Sequence, residues 1–279
     1  MARSPKKFAT GFEFTEGPAF DRDGNLFVVS VQGGYISRIT PRGKVSTFVN
    51  TGGGPNGQKF DAHGHLFVCD FKHKAILDVM PDGTYSRVVT ENDRGEPLKG
   101  PNDLVFSGDG GYYFTDPTGS SMEEPVGAVY RVDPDGKVKA FAEGLAYPNG
   151  VAVSEDERRV FVAETFTRKI HSYALRKDGT AAASRIHAEL PEGGLGPDGM
   201  ALDVEGNLYV AYYGAGTVAV FDAWGNLKEQ LKAGGKNPTN VAFGGKDRSN
   251  LYITEAETNS VYVHKLKIPG LPLYGQKDD

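Results

Sequence analysis

The sequence predicts an all-β fold, a six-bladed β-propeller with four antiparallel strands per blade, and three observations carry that expectation. One segment pattern recurs six times at a blade-sized interval. Glycine accounts for 37 of 279 residues and proline for 16, which demands many tight turns and so many short elements. The apolar stretches between those turns, such as Leu104-Val105-Phe106, are short and lack the 3.6-residue spacing of a helix.

The repeats begin TEGPAF at Thr15, PNGQKF at Pro55, PNDLVF at Pro101, PNGVAV at Pro148, PDGMAL at Pro197 and PTNVAF at Pro238. Their second positions fall at 16, 56, 102, 149, 198 and 239, with gaps of 40 to 49 residues. Each unit reads as strand, tight turn, strand: Leu104 to Phe106, then Gly108 to Gly111, then Tyr112 to Thr115. A third strand follows at Ala128 to Val132, then a turn at Asp133 to Gly136 and a fourth strand at Val138 to Phe141. The second turn recurs as Pro41-Arg42-Gly43, Pro81-Asp82-Gly83, Asp178-Gly179 and Trp224-Gly225. The last repeat supplies only three strands, near Val241, near Tyr252 and from Ser260 to His264. A spare strand near residues 6–13 is therefore expected to complete it and latch the ring. The chain reads as one domain, 1–279, with residues 268–279 as an extension on the surface.

Composition narrows the function. Hydrophobic residues make up 39% and charged residues 24%, an ordinary globular balance. No apolar run approaches the ~20 residues of a membrane helix, and none follows the basic start, so no membrane partner and a cytoplasmic location are expected. The net charge of -5, without a Lys/Arg cluster longer than a pair, argues against nucleic acid. A single cysteine, Cys69, excludes an intrachain disulfide and a cysteine-rich zinc site.

Repeats show function where they differ. The second positions are Glu16, Asn56, Asn102, Asn149, Asp198 and Thr239, all oxygen-bearing and related by pseudo-symmetry around one axis. Polar residues before strands also cap turns, but an Asx-turn does not account for Glu16. Two carboxylates and several amides converging on an axis call for a cation. Oxygen donors without His or Cys suit a hard ion, Ca²⁺ ahead of Mg²⁺, with Mn²⁺ and Zn²⁺ left open. No histidine occupies a ring position, so a Ser-His-Asp arrangement has no support.

After the second strand of each unit stand Ser30, Asp70, Asp116, Glu164, Tyr212 and Glu255, expected one shell outside the ring on the same face. They either hydrogen bond loop amides between blades or face a substrate. Asp116 and Glu164 are the substrate-contact candidates of this set, and Tyr147, Phe166, Tyr212 and Tyr213 are candidates for a pocket wall.

The motifs Glu16-Gly17-Pro18, Pro101-Asn102-Asp103-Leu104, Tyr113-Phe114-Thr115-Asp116-Pro117, Tyr147-Pro148-Asn149-Gly150 and Pro197-Asp198-Gly199-Met200 together resemble the regucalcin (senescence marker protein)/gluconolactonase family. That family is similar in fold to diisopropyl fluorophosphatase. The resemblance implies a divalent cation at the channel mouth and hydrolysis of a small lactone. It implies Glu16, Asn149 and Asp198 as metal ligands, with Asn102 as a fourth ligand or as a holder of substrate. Animal regucalcins carry an arginine two residues before the motif asparagine, where this chain has Gly100, so the pattern lies closer to bacterial gluconolactonases and the staphylococcal drug-responsive lactonase. Asp198 is the expected general base or, alternatively, a nucleophile. Two other readings use the same residues: phosphotriester or fluorophosphate hydrolysis, and a propeller that binds Ca²⁺ without catalysis.

Overall fold

The computed structural model describes residues 4–274, and they form six four-stranded antiparallel sheets without a helix. In the first blade the strands are Thr15–Phe20, Leu26–Ser30, Tyr35–Ile39 and Val45–Asn50, paired in chain order. The next four blades repeat this order, with innermost strands Pro55–Phe60, Leu104–Phe106, Pro148–Val153 and Gly196–Leu202. In the sixth blade Pro238–Gly244, Asn250–Glu255 and Ser260–Lys265 are joined by Lys6–Thr10 from the other end of the chain. Each innermost strand contacts those of the two neighbouring blades, and the first contacts the last. The ring is closed.

Hydrophobic burial follows from this geometry. A twisted sheet of four short strands cannot bury two faces alone, so each blade packs on the next. The core is six separate wedges, one per blade interface, such as Phe161, Ile170, Leu208 and Phe221 between blades four and five. The innermost strands are nearly all buried, while the outermost, such as Val45–Asn50 and Tyr85–Val89, are mostly exposed. Among the described residues no helix is long and apolar enough to cross a membrane.

The latch forms over a shorter stretch than its sequence suggests. Lys6–Thr10 pairs antiparallel with the strand Ser260–Lys265, with Lys6 opposite Val263 and Thr10 opposite Ser260. Phe8 packs edge-on against Tyr252 at 5.1 Å, which anchors the strand. Pairing then ends, and Phe14 donates its amide to Asn259 Oδ1 at 2.8 Å.

The C-terminal segment departs from the expected surface extension. Leu271 donates its amide to the Leu202 carbonyl at 2.9 Å, and Gly270 bridges Asp203. Leu271 and Leu273 then lie over the inner-strand residues Val105, Val151, Met200 and Val241 at the end of the channel. Tyr274 stacks on Phe106 at 5.5 Å. The physical reason is apolar surface: the inner strands leave a greasy channel end, and the Leu-Pro-Leu-Tyr run covers it. Residues 275–279 lie outside the described part of the chain.

Candidate metal centre and active site

The inner strands do not pair evenly. In five blades the register slips at the second repeat position, between Glu16 and Ala19, Pro55 and Gln58, Pro148 and Val151, Pro197 and Met200, and Pro238 and Asn240. A bulge of this kind re-aims the side chain it carries. In the third blade the strand starts later, and Asn102 and Asp103 are held by Thr115 instead: Asn102 donates its amide to the Thr115 carbonyl at 2.8 Å, and the Thr115 amide donates to the Asp103 carbonyl at 2.9 Å.

The residue after each ring position is glycine in four blades, Gly17, Gly57, Gly150 and Gly199, and the reason is close approach. A Cβ at Gly150 would overlap the Asp198 carbonyl, one at Gly57 the Asp103 side chain, and one at Gly199 the Asn240 amide. The two non-glycine positions, Asp103 and Asn240, send their side chains into the space so freed.

Glu16, Asn102, Asn149 and Asp198 come together at one end of the channel. Asp198 is coupled to the charge of Glu16 and stabilised by the Asn149 amide, while Tyr147 lies beside Asn102 and within electrostatic reach of Asp198. Asn149 also donates its amide nitrogen to Thr165 Oγ1 at 3.3 Å, which leaves Oδ1 as the acceptor available to the centre. Glu16 Oε2 accepts from the Gly17 amide and from Asn240 Nδ2, the latter at 3.4 Å. Thr239, the sixth ring residue, does something else: its hydroxyl donates to the Thr15 carbonyl at 2.8 Å and stitches blade six to blade one.

Burial and mutual repulsion govern the acids. Burial first, then the charge of Asp103, pushes Glu16 far above the usual carboxylate range, against the pull of Lys59. Asp198 rises in the same direction, through burial and then through Glu16 and Asp103. A cluster so arranged holds protons or a cation. Its donors are carboxylate and amide oxygens, which fit a hard divalent ion. Among the described residues no three His, Cys, Asp or Glu side chains form a metal-binding group, so an ion here needs the asparagine oxygens as well.

Repeat reading restricted to second positions missed Asp103, Lys59 and Asn240. The Lys59 ammonium lies 3.7 Å from Asp103 Oδ1 and donates to the Gln58 carbonyl at 3.1 Å, inside the channel below the ring. Its signal was available: the aligned position reads Ala19, Lys59, Val105, Ala152, Ala201 and Ala242, one cation among small apolar residues.

The outer set is occupied by backbone. Asp116 accepts the amides of Lys99 at 2.9 Å and Gly100 at 2.6 Å. Glu164 accepts the Ala146 amide at 2.7 Å, Thr167 Oγ1 at 2.5 Å and His171 Nε2 at 2.8 Å. Burial alone would raise Glu164, but His171, Thr167 and that amide outweigh it and bring it to about 2. Asp70 and Glu255 likewise take the amides of Gly54 and Asn237, both at 2.8 Å. These carboxylates fix the loops that enter the ring, which is the loop-amide reading of the set; both candidate contacts, Asp116 and Glu164, are engaged in this way. Tyr212 is committed too, its hydroxyl bonding Gly194 and Pro191.

Of the candidates for a pocket wall, Tyr147 and Tyr213 lie within electrostatic reach of Asp198, and Phe166 packs on Tyr147. Tyr147 has a positive φ of 66° and packs on Phe166 with ring centroids 4.9 Å apart. Burial first, and then the nearby Asp198 charge, pushes the pKa of both tyrosine phenols up. At Gly100 a side chain has no room, because a Cβ would overlap the Thr118 hydroxyl.

The profile of the family described as the SMP-30/Gluconolactonase/LRE-like region matches residues 14–257. The chain belongs to this family. Among its relatives, lactonase drp35 of Staphylococcus epidermidis is 35% identical over 241 residues, covering 80% of this chain and 70% of that protein. The solved structure of a gluconolactonase from Xanthomonas campestris superimposes with a TM-score of 0.82 at 28% identity, covering 95% of this chain and 89% of that one. A calcium-binding regucalcin from Agrobacterium tumefaciens superimposes with a TM-score of 0.81 at 18% identity, covering 96% and 99%, and shares the fold.

Proposed function

We propose that this family member is a lactonase, opening the ester ring of a small lactone at the Glu16, Asn102, Asn149 and Asp198 cluster with a divalent cation, Ca²⁺ first. The observation that carries the reading is the pair of buried, mutually repelling acids facing two asparagines, with the Asn149 nitrogen already spent on protein partners. When bound, a divalent cation polarises the ester carbonyl, stabilises the negative charge that grows on its oxygen, and offsets the repulsion that raises the two acids.

The chain supplies the rest. Glu16, held by Gly17 and Asn240, and Asn149, held by Thr165, have little freedom to turn, so they are preorganised donors. Asn102, beside Tyr147, presents the substrate ester toward Asp198. Asp198 takes a proton from an attacking water, or attacks the carbonyl carbon itself and is released by water in a second step. Tyr147, Phe166 and Tyr213 cover the centre with apolar ring surface and exclude bulk water. With Gly100 filled against Thr118 and an aromatic wall, the site favours lactones with apolar substituents over sugar lactones. Asp116 and Glu164 serve as positioning residues for the loops beneath that wall.

The test is hydrolysis of a γ- and δ-lactone panel with Ca²⁺, Mg²⁺, Mn²⁺ and Zn²⁺ in turn, with paraoxon alongside. Asp198→Asn is expected to abolish turnover with an unchanged circular dichroism spectrum, and Glu16→Gln to weaken metal binding. Full activity after exhaustive chelation would sink the metal-assisted reading. Hydrolysis of paraoxon but of no lactone would move the activity to phosphotriesters. ¹⁸O from water appearing in Asp198 after a single turnover would select direct attack.

A further inference from the structure

We propose that Lys59 and Asp103 form a fixed-charge layer below the proposed metal centre that tunes it to a divalent ion. This inference rests on the metal-assisted reading above. Lys59 is the one charged residue at its repeat position, and its surroundings are apolar: Pro18, Ala19, Phe60, Phe243 and Leu273 line the same space. A lysine placed there loses its hydration, so it needs an anion. Asp103 supplies it at 3.7 Å, with side-chain exposures of 10% for Lys59 and 2% for Asp103.

The same Asp103 oxygen, Oδ1, also accepts the Leu104 amide at 2.9 Å, which fixes the carboxylate. Space for it exists only because Gly57 carries no side chain. Both groups also reach the acids above. The Asp103 charge acts on Glu16 and Asp198, and the Lys59 charge opposes it at Glu16. The buried charges form one system. Three carboxylates, Glu16, Asp103 and Asp198, stand against one ammonium, which leaves two negative charges for a bound ion to cancel. A divalent ion makes the centre neutral, and a buried site that is neutral overall is the least costly to desolvate.

The layer therefore acts on selectivity by charge. Removing the ammonium leaves three negative charges and favours a trivalent ion; removing the Asp103 carboxylate leaves one and disfavours it. Ca²⁺ and La³⁺ are both hard ions that take oxygen donors, so their affinity ratio reads the charge directly. One extra unit charge several ångströms away, at an effective dielectric near 20, changes that ratio by roughly tenfold or more.

The experiment is isothermal titration of the full chain with Ca²⁺ and with La³⁺, in wild type, Lys59→Met, Lys59→Gln, Asp103→Asn and the double variant Lys59→Met/Asp103→Asn. Circular dichroism melting is recorded for each. Both Lys59 variants are expected to raise the La³⁺-to-Ca²⁺ affinity ratio about tenfold, and Asp103→Asn to lower it about tenfold. The double variant, which has the wild-type residual charge but neither side chain, is expected to return to within about threefold of the wild-type ratio. A packing role would not produce that return. Ratios unchanged in both Lys59 variants, or a double variant that stays shifted, would overturn the proposal while leaving the metal centre standing. A wild-type chain that binds neither ion would overturn the metal-assisted reading and this inference with it.

Discussion

Replacing Glu164 by glutamine separates the two things its carboxylate could do. In the structure it receives the Ala146 amide at 2.7 Å, Thr167 at 2.5 Å and His171 at 2.8 Å, and Ala146 directly precedes the wall residue Tyr147. Its pKa falls from 4.5 to about 2, a net gain for the charged form after burial has been overcome. At 1.36 kcal/mol per pKa unit, and with partial screening by solvent, the ionised carboxylate contributes about 2–3 kcal/mol at neutral pH. The sign follows from the depressed folded value. The contribution is fully present above the unfolded value near 4.5 and disappears as pH falls toward 2. Glutamine offers one acceptor oxygen and turns an NH₂ toward a donor, so the variant loses most of that amount. Urea unfolding at pH 7, 4 and 2.5 should therefore show a stability gap between wild type and Glu164→Gln that is largest at pH 7 and small at pH 2.5. A gap that stays constant with pH, or none at pH 7, would refute the argument. If the variant kept full stability and lost only kcat/KM, Glu164 would be a substrate contact after all.

Other perturbations test the rest of the architecture. Gly199→Ala would drive a methyl group into the Asn240 amide, which is buried and bonds Glu16, so chemical denaturation should show a loss of about 2 kcal/mol or more together with weaker metal binding by titration. Deleting residues 1–10 removes the strand that completes blade six and the Phe8–Tyr252 contact; thermal melting should drop by about 10 °C, at roughly 2–4 °C per kcal/mol. The double substitution Leu271→Ser and Leu273→Ser uncovers the apolar channel end, at a cost of about 2 kcal/mol for two half-buried leucines, and should increase binding of a hydrophobic dye.

Much of this site could be read from the sequence because a propeller converts spacing into radius. Residues at equal positions in the repeat sit at equal distances from the axis, so Glu16, Asn102, Asn149 and Asp198, separated by scores of residues, had to share one end of the channel. The outer set was harder. Strand geometry makes Asp116 and Glu164 candidates for substrate contact, but their partners are amides of Lys99, Gly100 and Ala146, whose direction depends on loop backbone that no side-chain pattern encodes. The tail was misjudged for a related reason: Leu271 and Leu273 look like a surface extension until the apolar channel they cover is in place. Lys59 and Asp103 are a different matter, since their evidence was in the repeat all along. Where six equivalent residues converge on an axis, a column of glycine or alanine marks a place without room for six side chains, and a single charged member of that column must fill the space its neighbours vacate. Gly57 and Gly199 vacate it for Asp103 and Asn240, and four alanines and a valine vacate it for Lys59. In any closed ring of this kind the exception in the smallest column points at the axis, and its charge has to be answered by whatever else lies there.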